Sequence, residues 1–193
     1  MTQKNNNKGG LKREQELTWT HGEKDVLCPD TIHQIKLVRV GRSRRSQKIT
    51  DAEEVFDFWQ KTVTRQPWFD EDRETSIAIM LDKKMNVKAW NLVSIGTDGN
   101  CFLDIKGVFR CAVACSASSV IVVHNHPSGE CEPSPNDLCI TTGLVKAGQI
   151  LGIQVLDHLV IGGKQHCSFR DRYPYMFGVR KEVMEPAAAD ATT

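Results

Sequence analysis

Two histidines and an aspartate stand at a spacing that suits a metal ion. His124 ends a run of β-branched residues, His126 follows two positions later, and Asp137 comes after ten intervening residues. Residues i and i+2 of an extended strand project to the same side, so the two imidazoles can point at one ion. A turn at 127–129 and a helix that begins near Pro135 can then return Asp137 as a third ligand.

Three protein ligands of these types predict a catalytic rather than a structural zinc site. Imidazole and carboxylate both bind zinc, and a site with three protein ligands keeps its fourth position open to water. A His-x-His pair alone is a weak signal. The β-branched run before it, the Pro-Ser-Gly turn and the helix start after it make the pattern specific. The sequence therefore predicts Zn²⁺ bound by His124, His126 and Asp137.

Alternating strand and helix patterns surround these residues. Thr50 and Glu53 form a capping-box pattern, and apolar residues at helical spacing follow it. Ser134 can cap a later helix whose first position is Pro135, and Gly152 can end that helix. The patterns predict strands at 32–40, 77–81, 87–95, 120–124, 153–161 and 166–169, and helices at 51–63, 108–117 and 135–151. This order predicts an α/β sandwich with a mixed sheet.

The motifs resemble one known family. HNHPSG at 124–129, EPSPNDL at 132–138 and GQILGIQVLDHLVIG at 148–162 are similar to the JAB/MPN (JAMM) metalloproteases, and specifically to their RadC-like branch. The likeness is dense from Ile77 to Gly162 and fainter from Ile32 to Glu74. It implies a JAB/MPN-like (cytidine-deaminase-like) three-layer sandwich in a cytoplasmic protein. It also implies a zinc metallohydrolase that acts on peptide or isopeptide bonds, with a peptide or protein as substrate or partner.

Hydrolysis at such a zinc also needs a general base. JAMM enzymes use a glutamate on a strand upstream of the His-x-His, and alignment on the pattern at 87–96 places that position on Asn91. An amide cannot accept a proton at neutral pH, so catalysis is expected to be weakened or absent. Asn91 lies in phase with apolar residues of its strand. It is therefore either a buried asparagine bonded to backbone or a remnant of the pocket that holds the zinc water.

The resemblance assigns roles to three further residues. Ser134 matches the family serine that donates a hydrogen bond to the developing oxyanion, although an N-cap is the alternative role for its hydroxyl. Asp157 and His158 match the Asp-His pair of the RadC-like branch. From the residues alone they are a polar pair in a buried strand that must be satisfied internally. Of the two roles, internal pairing within the strand or contact with the metal ligands, we expect the second.

Composition and charge set the wider limits. The sequence has no apolar run that would span a membrane and no secretory leader, and seven cysteines without a leader indicate a reduced, cytosolic protein. Residues 1–50 carry 11 Lys and Arg against 5 Asp and Glu. This basic surplus is either a solvated tail or a weak contact to nucleic-acid phosphates. The predicted organisation is an irregular basic arm at 1–30, the RadC-like domain at 31–180 and a loose tail at 181–193.

Two kinds of function follow from these observations. The first is a JAMM-type metallopeptidase, weakened or using another base. The second is a catalytically silent module that binds zinc or a partner and is associated with DNA repair or mobile elements. The helix-hairpin-helix module of longer RadC proteins has no counterpart in residues 1–50, which weakens a direct role in DNA binding.

Overall fold

The computed structural model describes residues 47–96 and 103–178. The strand predicted at 32–40, the whole basic arm at 1–30 and the C-terminal tail lie outside the described residues. The domain boundaries predicted at 30 and 180 therefore stay predictions. Within the described ranges, no helix is long and apolar enough to cross a membrane.

A mixed β-sheet forms the centre of the described domain. Its strands are β1 (Thr75–Leu81), β2 (Val87–Ile95), β3 (Ser119–Asn125), β4 (Gln154–Gly162) and β5 (Gln165–Ser168), in the spatial order β2-β1-β3-β4-β5. The β3–β4 pair is parallel, and the other neighbouring pairs are antiparallel. β1 and β3 are buried along their whole lengths, which explains their almost unbroken apolar sequences.

Helices cover both faces of this sheet. The described helical segments are α1 (Ala52–Phe58), a π-helical turn (Trp59–Val63), α2 (Ile105–Ala114), α3 (Pro135–Leu151), α4 (Phe169–Arg172) and a 3₁₀ turn (Pro174–Phe177). One apolar core lies between α1 and one face of the sheet, and a second lies between the other face and α2 and α3. The result is the three-layer α/β sandwich with a mixed sheet that the resemblance implied.

The sequence located most elements to within a few residues, but two local details were wrong. The first helix is capped by Asp51, whose carboxylate accepts from the N–H of Glu54, and Glu54 in turn accepts from the N–H of Thr50. The predicted capping box of Thr50 and Glu53 is therefore wrong: Asp51 is the N-cap, and the carboxylate of Glu54 bonds to Thr50 rather than to the N-cap N–H. The second helix begins at Ile105 instead of 108, because Asp104 caps it through the N–H of Lys106.

Candidate metal centre

The end of β3 and the start of α3 bring the three predicted zinc ligands together. His124 is the penultimate residue of β3, and His126 follows the strand immediately. Asp137 lies in the first turn of α3, where a reciprocal capping box with Ser134 holds the helix start. β3 and α3 therefore converge on one point from two layers of the fold.

The three side chains lie close together, and each histidine is near a different carboxylate oxygen of Asp137. Nε2 of His124 lies 3.1 Å from Nε2 of His126 and 3.4 Å from Oδ1 of Asp137. The separation between Nε2 of His126 and Oδ2 of Asp137 is 3.5 Å. A tetrahedral zinc with bonds of about 2.0–2.1 Å separates its ligand atoms by about 3.3–3.4 Å. The donor types thus fit zinc, and the separations are of the size of a tetrahedral edge, with each histidine facing its own oxygen of Asp137.

The Nδ1 atom of each histidine points away from the metal position and contacts another group. Nδ1 of His124 is 2.8 Å from Nε2 of His158, and Nδ1 of His126 is 3.0 Å from the carbonyl oxygen of Glu130. Histidines that bind metals usually engage their second nitrogen in this way, which orients the ring. Both Nε2 atoms are therefore aimed at the same space beside Asp137.

A glutamate that the sequence analysis did not assign also lies at this point. Oε1 of Glu74 is 3.9 Å from Nε2 of His124. One ligating atom from each of Glu74, His124 and His126 lies within 4.8 Å of the others. β1 runs antiparallel to β3 and pairs Ser76 with His124, so the residue just before β1 arrives beside the end of β3. Glu74 therefore lies beside the histidine pair, within the group of side chains that could hold a metal.

The sequence places Asn91 at the position of the family glutamate, whereas the structure brings Glu74 close to His124. Asn91 lies on β2 opposite Ala78, two residues further along β1 than Ser76. Its Nδ2 donates to the carbonyl oxygen of Leu92, and its buried Oδ1 has no hydrogen-bond partner in the structure. The acidic side chain that approaches the histidine pair is Glu74, which directly precedes β1, whereas Asn91 lies on β2.

Ser134 lies at the centre, but its hydroxyl already makes two hydrogen bonds. Ser134 Oγ donates to Oδ2 of Asp137 at 2.7 Å and accepts from the N–H of Asp137 at 3.2 Å. The N–H of Ser134 also donates to that Oδ2. Because Oδ2 accepts both bonds, Oδ1 is the oxygen of Asp137 better placed for a cation. The N-cap role of Ser134 is present in the structure, whereas its role toward an oxyanion stays a prediction.

The side chains of Asp157 and His158 on β4 face different neighbours. His158 is fully buried and contacts His124. Asp157 accepts from the hydroxyl of Ser168 and from the backbone N–H groups of His158 and Arg170. Burial raises the pKa of the Asp157 carboxyl above its ordinary value. Asp157 therefore ties β4 to the start of α4, and only His158 supports a predicted ligand directly.

Burial and neighbouring charges set the protonation states of the centre. Burial lowers the pKa of His124 to about 4, whereas the hydrogen bond to Asp137 raises the pKa of His126 above its ordinary value. Burial opposes ionisation of Asp137, but His126 and His124 together hold its pKa below the usual range. At neutral pH His124 is thus a neutral imidazole and Asp137 a carboxylate, which are the forms that bind metals. Asp137 favours the protonated form of His126, and a metal ion that bound Nε2 of His126 would displace that proton.

Comparison with known proteins identifies the family of this chain. The sequence profile of the RadC-like JAB domain matches residues 49–173. The chain belongs to the RadC-like JAB domain family. This match covers the described sheet, both flanking helical layers and the whole candidate metal centre.

Curated relatives of the family are similar over the same region. A UPF0758 protein of Thermotoga maritima is 38% identical over 128 residues, which cover 66% of this chain and 55% of the relative. One from Aquifex aeolicus is 38% identical over 136 residues, covering 70% of this chain and 55% of the relative. One from Chloroflexus aggregans is 46% identical over 101 residues, covering 52% and 44%. The chain thus spans about half the length of these relatives.

Proposed function

We propose that this RadC-like JAB domain is a zinc-dependent hydrolase of peptide or isopeptide bonds. The observation that carries the proposal is the carboxylate of Glu74, 3.9 Å from His124 at the point where both histidines and Asp137 converge. The resemblance to JAMM enzymes calls for a glutamate upstream of the His-x-His as general base. Glu74 meets that requirement by position and by chemistry, although the sequence alignment had assigned the role to Asn91.

The residues of the centre divide the work of such a reaction. His124, His126 and Asp137 would hold the zinc. A zinc ion bound there lowers the pKa of a water towards neutrality and polarises a carbonyl oxygen. Glu74 accepts the proton of the attacking water and returns it to the leaving amine, as a general base and then a general acid. Its side chain is 14% exposed, so it is shielded yet within reach of solvent.

Ser134 has two roles in this proposal that compete for one hydrogen. Its hydroxyl hydrogen points at Oδ2 of Asp137 in the structure. Donation to an oxyanion would require that bond to be released, since a serine hydroxyl has one hydrogen. We therefore assign Ser134 first to the positioning of Asp137 and second to the oxyanion.

A cavity beside the metal centre supports a peptide-like substrate. It has a volume of about 240 Å³ and includes His126 and the turn that follows it. Trp59, Phe69, Glu71 and Asp72 also line it. A space of this size and mixed chemistry accommodates a side chain of a bound polypeptide.

The described cysteines are free, which supports a reducing, cytoplasmic location.

The alternative of a catalytically silent module rested on the missing glutamate. Glu74 removes that ground, so the silent module is the second candidate. The association with DNA repair or mobile elements has no support among the described residues, because the basic arm at 1–30 lies outside them.

Hydrolysis that depends on metal separates the two candidates. The full chain, loaded with zinc, is assayed on peptide reporters and on reporters linked through a lysine ε-amine. We expect cleavage that a chelator abolishes, that added zinc restores, and that Asp137→Ala lacks. A protein that binds one zinc and cleaves none of these reporters would favour the silent module instead.

A further inference from the structure

We infer that Thr141 and His158 are positioning residues whose hydrogen-bond chain holds His124 in the one ring tautomer that presents a lone pair to the metal. The chain runs from the backbone carbonyl of Asp137 through Thr141 and His158 to His124. This inference rests on the proposed zinc site and adds to it two residues that do not touch the metal.

Three short contacts make up the chain. Oγ1 of Thr141 lies 2.6 Å from the carbonyl oxygen of Asp137 and 2.6 Å from Nδ1 of His158. Nε2 of His158 lies 2.8 Å from Nδ1 of His124. Thr141 and His158 are fully buried, and His124 is 1% exposed, so these groups satisfy one another rather than water.

The chain has only one consistent direction. A carbonyl oxygen can only accept, so the hydroxyl of Thr141 spends its single hydrogen on Asp137. That hydroxyl must then accept from Nδ1–H of His158. His158 is fully buried, and burial disfavours its charged form, so its Nε2 carries a lone pair. His158 therefore accepts from Nδ1–H of His124, and the lone pair of neutral His124 lies on Nε2, which faces the site.

The surroundings hold His158 in place. The ring of Phe169 stacks on it, with centroids 4.8 Å apart and planes at 16°. His158 also lies on β4 and pairs with Val122 of β3. Val122 stands two residues before His124 on that strand. The chain starts at the backbone of one predicted ligand and ends at the ring of another. It therefore couples α3 to β3 through β4.

Removal of the hydroxyl tests the chain with little change in shape. Thr141→Val leaves Nδ1–H of His158 without an acceptor, so the other tautomer of His158 competes and turns a donor towards His124. Loss of such an outer partner typically lowers metal affinity about 10–100-fold. We expect a fall of at least about tenfold in zinc affinity, measured by competition with a chelator.

Thr142→Val is the matched control. Thr142 lies next in the same helix, and its hydroxyl donates to the carbonyl of Leu138 in the same i−4 manner, but it is exposed. We expect its zinc affinity to equal that of the wild type. Equal zinc affinities for Thr141→Val and Thr142→Val would overturn the inference.

The tautomer itself is observable. Long-range ¹H–¹⁵N spectra of the full chain, metal-free and zinc-loaded, distinguish protonated from unprotonated ring nitrogens. We expect Nδ1 of His124 to be protonated and its Nε2 to be unprotonated in both forms, with the same arrangement in metal-free His158. A protonated Nε2 on His124 of the metal-free wild type would contradict the chain, and this reading needs no variant to fold.

Two substitutions at His158 separate hydrogen bonding from packing. His158→Phe retains an aromatic ring for Phe169 but offers no acceptor, so zinc affinity should fall. His158→Gln supplies an oxygen that can accept from Nδ1–H of His124, so affinity should recover in part. Equal affinities for the two variants would assign His158 to packing alone.

These readouts are independent of hydrolysis. Zinc binding with the expected tautomers but no cleavage would leave the positioning chain in place and refute the proposed enzyme. Zinc-dependent cleavage together with an unchanged zinc affinity of Thr141→Val would support the proposed enzyme and refute the positioning chain.

Discussion

Substitution of Glu74 by glutamine separates metal binding from proton transfer. Glutamine has the shape of glutamate, so its oxygen can keep the 3.9 Å separation from Nε2 of His124. An amide cannot accept a proton at neutral pH, so the variant loses the general base. General acid–base catalysis typically contributes about 10²–10⁴-fold, which corresponds to about 3–5 kcal/mol of activation free energy. We expect kcat on a peptide or isopeptide reporter to decrease by about 10²–10⁴-fold.

The assay must hold zinc occupancy constant. Glu74→Gln removes a negative charge close to the metal position, so weaker zinc binding is expected alongside the lower rate. Rates are therefore compared per bound zinc, at saturating metal. Glu53→Gln makes the same chemical change at an exposed position of α1 and should leave both quantities unchanged. A Glu74→Gln variant that turns over at the wild-type rate at full occupancy would refute the role of Glu74 as base.

Three further predictions concern the fold and the N-terminal arm. Asn91→Val removes a buried oxygen that has no partner, so the free energy of unfolding by denaturant should stay level or rise by about 1 kcal/mol; a clear decrease would show that the amide is satisfied. Gly162→Ala would place a Cβ 2.5–2.6 Å from backbone atoms of residues 129–131, the loop that orients His126, so zinc affinity and thermal midpoint should both fall. Gly143→Ala meets only a side-chain methyl at 3.0 Å and serves as the control, and equal effects of the two would contradict the packing argument. Any DNA binding by the full chain should weaken with salt and disappear when residues 1–46 are deleted, and binding that survives the deletion would place the contact in the JAB domain.

Local sequence was sufficient to predict most of the described elements. The β-branched run before His124, the Ser134–Pro135 helix start and Gly152 are each recognisable within a few residues of chain. The structure shows a capping box at Ser134 and a left-handed Gly152 at the end of α3. Signals of this kind depend on neighbouring residues only, so they predict a helix start or end without knowledge of the fold.

Glu74 was missed because its place depends on strand order. It stands directly before the apolar run of β1, and nothing local marks it as different from the other acidic residues of the preceding link. Only the antiparallel pairing of β1 with β3, which joins Ser76 to His124, brings it to the histidines. Asn91 drew the assignment because it is polar within an apolar strand pattern. That pattern predicts the face of a strand but not its neighbour in the sheet.

The division between Asp157 and His158 has the same cause. Adjacent residues of a strand face opposite sides of the sheet, so only one of them can face the metal centre. Which one does so depends on which helix covers which face. His158 faces α3 through Thr141, whereas Asp157 accepts from Ser168 and from the start of α4.

The structure of the zinc-loaded chain, with the metal located by its anomalous scattering, tests the proposed centre most directly. We predict one zinc bonded at about 2.0–2.1 Å to Nε2 of His124, Nε2 of His126 and Oδ1 of Asp137. Glu74 should lie outside bonding distance and face the fourth position. A zinc bonded to Glu74 while Asp137 stays with Ser134, or a centre that binds no zinc, would contradict this assignment.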